Sequence, residues 1–202
     1  MATRRILIVQ GSPRMNGNSA ILGKQTGAGA KAAGADVEEI YVHYLKILPC
    51  SACEACREAK DKDCVIEDDM RGLYPKIRKA DAIVFASPVY FFTMSAQTKL
   101  FIDRCYALGW RKPEEGKDGP TYTYETDFTG KKIGIILTYG DSDPFRSGAV
   151  NAIRTFQDMC RYVGADIVGM VYGTADEAGE IRSHRELLEK AYELGKELGS
   201  GE

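Results

Sequence analysis

Short apolar runs alternate with stretches of helical periodicity along the whole chain. Residues 6–9 form a continuous apolar run that ends at Gly11 and is followed by polar residues. A stretch of small, helix-compatible residues over 19–34 comes next, which predicts the order strand, loop, helix. Residues 37–44, 82–86, 132–138 and 166–171 read as four further strands. Between them lie helical patterns: 69–79 with Met70, Leu73 and Ile77 on one face, and a segment opened by Ser95 in which Ala96, Leu100, Phe101, Cys105 and Leu108 recur. Val150, Ile153, Phe156, Met159 and Val163 mark another helix, and Leu187, Leu188, Ala191, Leu194 and Leu198 the last. Each recurrence places an apolar stripe on one side of a helix. In the first helix Gly23, Gly27 and Gly29 each cost about 1 kcal/mol relative to Ala, so close packing on a sheet must compensate.

Five apolar strands separated by helices imply a parallel sheet covered on both faces, because right-handed crossovers put the helices there. The fold class is therefore α/β, a doubly wound domain, with two segments outside the alternation. Residues 46–68 form a cysteine-rich loop after the second strand. Residues 111–127 form a polar excursion with Pro113, Gly116, Gly119, Pro120 and the alternating Tyr122 and Tyr124, suited to a surface excursion, an interface arm or a lid.

A chain of 202 residues with 44% hydrophobic content can bury one substantial core, so 1–202 reads as a single domain. A formal net charge of -2 without a cluster of Lys and Arg argues against nucleic acid as a partner. No apolar run approaches bilayer length, and residues 1–5 lead straight into a strand, so the expectation is a cytoplasmic protein with no membrane association. In a reducing compartment a dense group of cysteines points to metal binding or redox chemistry before a disulfide framework. Cys105 and Cys160 stand alone in helical patterns and read as buried thiols. His43 and His184 have no visible catalytic partner, and no nucleophile elbow is present, so any chemistry must belong to a cofactor.

In open α/β sheets ligands bind beyond the carboxyl ends of the strands. The loop 11–19 offers Ser12, Arg14, Asn16, Gly17, Asn18 and Ser19 at a helix N-terminus, where backbone N–H groups and the dipole favour a phosphate. It lacks both G-x-G-x-x-G and G-K-[ST], so a mononucleotide fits better than a dinucleotide or triphosphate. The loop 87–94 carries Pro88, Val89, Tyr90 and Phe91, a rigid aromatic segment suited to a planar heterocycle, or alternatively a hydrophobic plug. The loop 138–144, with Thr138, Tyr139, Gly140 and Asp141, completes the edge.

Cys50, Cys53, Cys56 and Cys64 have the spacing C-x2-C-x2-C-x7-C. Three thiols on one run with a fourth displaced is an iron–sulfur spacing. Structural zinc sites present two separate C-x2-4-C pairs instead, and a metal-free or disulfide-forming thiol loop is the remaining alternative. Across the loop Arg57, Lys60 and Lys62 nearly cancel Glu54, Glu58, Asp61 and Asp63.

The run GSPRMNGNS, the segment SPVYF, the helix start MSAQTKLFIDR and the compact four-cysteine loop together resemble the iron–sulfur flavoprotein branch of the flavodoxin-like NADPH-dependent FMN reductase superfamily. The resemblance implies a flavodoxin-like five-stranded parallel sheet that binds FMN non-covalently. Its phosphate would fall to Ser12, Arg14, Asn16, Asn18 and Ser19, beside Gly17. The isoalloxazine ring would fall to Pro88, Val89, Tyr90, Phe91 and the loop from Thr138 through Tyr139 and Gly140 to Asp141. It implies a [4Fe-4S] cluster on Cys50, Cys53, Cys56 and Cys64, and a homodimer or homotetramer in which a neighbour's cluster can approach the flavin. Ferredoxin or NAD(P)H would be the donor, and quinone, oxygen or peroxide the acceptor, so the expected function is electron transfer at the flavin with no catalytic side chain. A cluster-free NAD(P)H-dependent FMN or quinone reductase, and an electron carrier or redox sensor without a substrate pocket, are the alternatives.

Overall fold

A computed structural model describes residues 3–57, 63–116 and 119–201. Glu58, Lys60, Asp61 and Lys62 of the cysteine loop, residues 117–118 of the excursion and the terminal residues 1–2 and 202 lie outside it. The apolar runs form the parallel strands β1 (Arg5–Gln10), β2 (Asp36–Tyr41), β3 (Ala82–Tyr90), β7 (Lys132–Tyr139) and β8 (Asp166–Thr174). Their order is β2-β1-β3-β7-β8, the flavodoxin-like doubly wound order, in which the sequence reverses direction between β1 and β3. Helices α1 (Asn18–Ala32) and α5 (Arg185–Ser200) cover one face. Helices α2 (Met70–Lys79), α3 (Ala96–Arg104) and α4 (Ala149–Val163) cover the other. A further short strand β4 (Thr93–Met94) folds back on β3, and β5 (Gly109–Gly116) and β6 (Gly119–Thr126) form a separate sheet.

The glycines of α1 are repaid by contact, and the sheet is only part of it. A Cβ at Gly23 would fall 2.6 Å from the Gln10 amide and one at Gly27 2.9 Å from Ile8, both on β1. At Gly29 it would fall 1.9 Å from the Tyr192 carbonyl oxygen, and at Gly195 of α5 1.9 Å from the Thr26 carbonyl oxygen. The two helices therefore cross backbone to backbone through reciprocal glycines. Gly29→Ala is expected to lower stability by about 3 kcal/mol, because backbone cannot yield as a side chain does. Gly34→Ala, where open space but a positive φ of 89° meets the side chain, should cost less. Urea midpoints of the two variants compare them directly.

The excursion 111–127 is a regular antiparallel hairpin, with Gly109 opposite Thr126 and Gly116 opposite Gly119. It leaves from the amino end of the sheet. Asp127 at its foot accepts from Arg78 Nε at 2.9 Å, Thr126 Oγ1 donates to the Val163 carbonyl at 2.9 Å, and the next strand starts five residues later. No helix among the described residues is long and apolar enough to cross a membrane.

Candidate functional site

At the carboxyl ends of the strands lies a cleft of about 210 Å3. Its floor begins where β1 stops: the Gly11 N–H donates to the Ala86 carbonyl at 2.8 Å, and a Cβ on Gly11 would collide with Thr98 Oγ1 at 1.8 Å. The chain then turns through 12–17 into α1. Ser12, Arg14, Gly17, Asn18 and Ser19 line the cleft, whereas Asn16 is exposed on the turn and does not. Gly17 must be small, since a Cβ there would approach Ser12 Oγ at 2.7 Å.

Two of these side chains hold the protein itself. The Arg14 N–H donates to Ser12 Oγ at 3.1 Å, which closes the turn. The Asn18 amide donates to the carbonyls of Ala175 and Glu177 at 3.0 and 2.9 Å and accepts from the Gly179 N–H at 2.9 Å. The Asn18 side chain thus acts as an anchor, which draws the loop after β8 against the cleft. Glu180 assists by accepting from the Asp176 and Glu177 N–H groups at 2.8 and 3.0 Å. That loop adds Ala175, Asp176 and Ala178 to the lining, residues the sequence reading missed. Their position beyond the carboxyl end of the fifth strand was the available signal.

The start of α1 is open. Its N-cap is Gly17, no side chain caps it and no acidic residue sits in its first turn. The first N–H groups of a helix have no intrahelical partner. Beside them the Ser19 hydroxyl is buried with no hydrogen-bond partner among the described residues. An orphan hydroxyl, an uncapped helix N-terminus and the Arg14 side chain on one wall fit a bound phosphate.

The second loop is part of a strand. β3 continues past Ala86, pairing Ser87 with Leu137 and Pro88 with Thr138. It reverses through Phe91 and Phe92 into β4, with Tyr90 opposite Thr93. Both phenylalanines have positive φ, 46° and 70°, which makes a two-residue turn of the I′ kind from side chains that resist it. The surroundings enforce the strain: Asn151 donates to the Phe92 carbonyl at 3.0 Å, and α4 begins at Gly148, where a Cβ would meet Phe92 Cα at 2.4 Å. Pro88, Val89 and Tyr90 line the cleft. Phe91 does not; it is 95% exposed at the tip. With Tyr90, Phe91 and Phe92 all exposed, the hydrophobic-plug alternative is excluded.

From the third loop Thr138, Tyr139 and Gly140 line the cleft, and burial pushes the Tyr139 phenol pKa upward. Asp141 does not line it. Its carboxylate accepts from the Asp143 N–H at 3.1 Å, which with Arg146 holds its pKa low, and its carbonyl accepts from Thr174 Oγ1 at 2.8 Å. Asp141 therefore shapes the loop.

The cysteine loop does not stay at this edge. Asp68 and Arg104, an almost fully buried ion pair, clasp Leu48 from both sides: Leu48 N–H donates to Asp68 at 2.8 Å and Arg104 donates to the Leu48 carbonyl at 2.7 Å. Arg104 ends α3, whose first turn touches Gly11 through Ser95 Oγ at 2.7 Å. Further along, the Arg57 guanidinium lies over the rings of Tyr106 and Tyr124 at 3.9 and 4.9 Å, and Asp63 pairs with Arg78 at 2.5 Å. The loop thus crosses the helical face toward the hairpin at the amino end, and no cysteine lines the cleft.

Cys50 and Cys53 are exposed and Cys56 and Cys64 buried, all as free thiols. Among the described residues no group of three His, Cys, Asp or Glu side chains is arranged to hold a metal ion. The donor chemistry nevertheless fits a thiolate-bound cluster. The Ala55 N–H, helped by the Ser51 hydroxyl, bonds the Cys53 sulfur and lowers its pKa. Burial raises the Cys56 thiol, and the neighbouring sulfurs of Cys64, Cys50 and Cys53 add to the rise. Ala52 and Glu54 hold positive φ of 54° and 57° on either side of Cys53, backbone of the kind that turns successive N–H groups inward around anionic centres.

The family model for NADPH-dependent FMN reductase matches residues 4–179. An iron-sulfur flavoprotein of Methanosarcina thermophila is 34% identical over 82% of this chain and 77% of its own length. Another from Archaeoglobus fulgidus is 33% identical over 75% of this chain and 70% of its own. Among solved structures, the NAD(P)H:quinone oxidoreductase of Methanothermobacter marburgensis matches 98% of this chain and 100% of its own with a TM-score of 0.71 at 17% identity, a likeness of fold.

Proposed function

The chain belongs to the NADPH-dependent FMN reductase family, in its iron–sulfur flavoprotein branch, and on that premise we propose an FMN-dependent oxidoreductase that passes electrons between FMN and a [4Fe-4S] cluster. One observation carries the flavin site: the buried Ser19 hydroxyl without a partner beside the uncapped start of α1, inside a cleft of about 210 Å3. Ser19, the first N–H groups of α1 and Arg14 hold the phosphate. Pro88, Val89, Tyr90, Thr138, Tyr139 and Gly140 bound the ring, with Pro88 stiffening the wall and Tyr139 excluding water. Cys50, Cys53, Cys56 and Cys64 hold the cluster. Bound together, the two groups supply exchange between two-electron and one-electron partners.

Ferredoxin or NAD(P)H serves as donor and quinone, oxygen or peroxide as acceptor. The cysteine loop and the cleft lie toward opposite ends of one chain, which favours a homodimer or homotetramer that brings a neighbour's cluster to the flavin. A monomer at working concentration counts against that assembly. Anaerobically purified protein is expected to show flavin absorbance above a broad cluster band, with about four iron and four sulfide per chain. Flavin without iron would instead support a cluster-free NAD(P)H-dependent reductase.

The phosphate assignment has its own check. Ser19→Ala and Arg14→Ala should each weaken FMN about tenfold, the worth of one charge-assisted hydrogen bond. Riboflavin, which has no phosphate, should bind all three proteins alike. Quenching of flavin fluorescence measures both, and equal losses for riboflavin would refute the assignment.

A further inference from the structure

A second chamber, of about 160 Å3, opens between the end of α3, the foot of the hairpin and the last turn of α4. It shares no lining residue with the flavin cleft. Phe85 and Phe128 form its buried floor, Met159 one side, and Tyr106, Tyr124 and Tyr162 its rim. The polar groups in its wall are committed elsewhere. Asp103 accepts from Lys99 at 2.6 Å, while Thr126 Oγ1 donates to the Val163 carbonyl at 2.9 Å and accepts from the Phe128 N–H at 3.1 Å. Cys105 also lines the chamber, and burial pushes its thiol pKa far upward, so it contributes a neutral sulfur.

The aromatic rim is built by specific contacts. A Cβ on Gly109 would lie 2.0 Å from Tyr124 Oη, so only glycine lets that ring lie over the strand. Tyr124 stacks on Tyr162 with centroids 5.0 Å apart. Above the rim the Arg57 guanidinium covers Tyr106 and Tyr124, and its Nε is buried with no hydrogen-bond partner among the described residues. Flat π-faces, a thioether and a neutral thiol around a space of this size favour a flat, uncharged ring.

We propose that this chamber is a second ligand site, taking a flat, uncharged conjugated ring system. The rings of Tyr106, Tyr124 and Tyr162 pack against it.

The test uses full-length, FMN-saturated protein and 2,3-dimethyl-1,4-naphthoquinone, whose blocked ring positions prevent addition of cysteine thiols. Calorimetric titration is expected to show one probe bound per chain, with an affinity that further FMN does not change. Tyr162→Ala, a change at an exposed ring that leaves the core intact, should weaken the probe about tenfold. Gly109→Ala, which displaces Tyr124, should do the same. Displacement of the probe by FMN, or unchanged affinity in both variants, overturns the proposal. So does absence of binding, including the case in which Tyr162→Ala alters the subunit number in sedimentation and the face proves to be an interface between copies. None of these outcomes depends on the cluster.

Discussion

Replacing Asp68 with alanine is expected to cost about 3–5 kcal/mol of stability and to release the cysteine loop in the same step. The Asp68 carboxylate is fully buried and accepts from Arg104, which is 1% exposed, and from the N–H groups of Leu48 and Met70 at 2.8 and 3.0 Å. Removing it leaves a guanidinium in the interior without a counter-charge, the costly way to break a buried pair. Against a typical total of about 5–15 kcal/mol the loss is large. Because Arg104 also holds the Leu48 carbonyl, amide exchange should rise over residues 46–57. Burial alone would raise the Asp68 pKa, but Arg104 and the two N–H groups outweigh it and hold the carboxyl below its ordinary value. A depressed carboxyl contributes stability above its unfolded pKa of about 3.9 and loses it as pH falls through the folded value. The wild-type chain should therefore weaken on acidification below about pH 4, and Asp68→Ala should lack that component. Urea titration at pH 7 and pH 3 measures both, and a loss under about 1 kcal/mol at pH 7 would mean that the clasp is not holding the loop. Flavin affinity should change little, since neither residue lines the cleft.

The strands and helices were legible because each is an apolar run or an apolar stripe whose period survives in one dimension. Where the reading stopped short, a tertiary partner decided the outcome. β3 runs on to Tyr90 although Ser87 and Pro88 look like punctuation, because Ser87 is buried and accepts from the Ser95 N–H at 3.0 Å while the ladder with β7 continues beside it. The turn at Phe91 and Phe92 carries none of the Asn-Gly chemistry that announces a hairpin, since α4 enforces it from a distance. β2 ends at Tyr41, three residues short of the apolar-looking 37–44, because Val42–Tyr44 winds into a short 3-10 turn. In the excursion the alternating Tyr122 and Tyr124 were visible, but their partner strand is charged and proline-bearing and gives no signal of its own.

At the cleft, eleven of the residues expected to bind ligand converge on one wall or another, which follows from the rule that carboxyl-edge loops meet. Residue type could not say which of them serve the ligand and which serve the protein. Asn18 and Ser19 are adjacent and equally polar, yet Asn18 spends its amide on the loop after β8 while Ser19 keeps a free hydroxyl facing the cleft. The path of the cysteine loop was likewise hidden, because its anchors Arg57, Asp63 and Asp68 bind partners 15 to 67 residues away in sequence.

Cys53→Ser should abolish bound iron while leaving flavin content and fold intact. Cys53 is exposed, so the exchange of sulfur for oxygen alters no packing. What it removes is a thiol whose pKa is lowered by the Ala55 N–H and the Ser51 hydroxyl, which favours the thiolate a ligand needs. A serine hydroxyl does not ionise in this range and is a poor substitute on iron. Flavin should remain because no cysteine contributes to the cleft. Cys160→Ser is the matching control: that thiol is buried, with its pKa pushed up to about 11, and lies on α4 away from the loop, so iron should be retained. Iron and sulfide analysis of anaerobically prepared protein, with flavin absorbance on the same samples, reads all three quantities. Undiminished iron in Cys53→Ser would remove Cys53 from the ligand set. Iron lost together with flavin would mean that the two sites are coupled through the fold, against the separation that the Arg104 clasp and the hairpin impose on them.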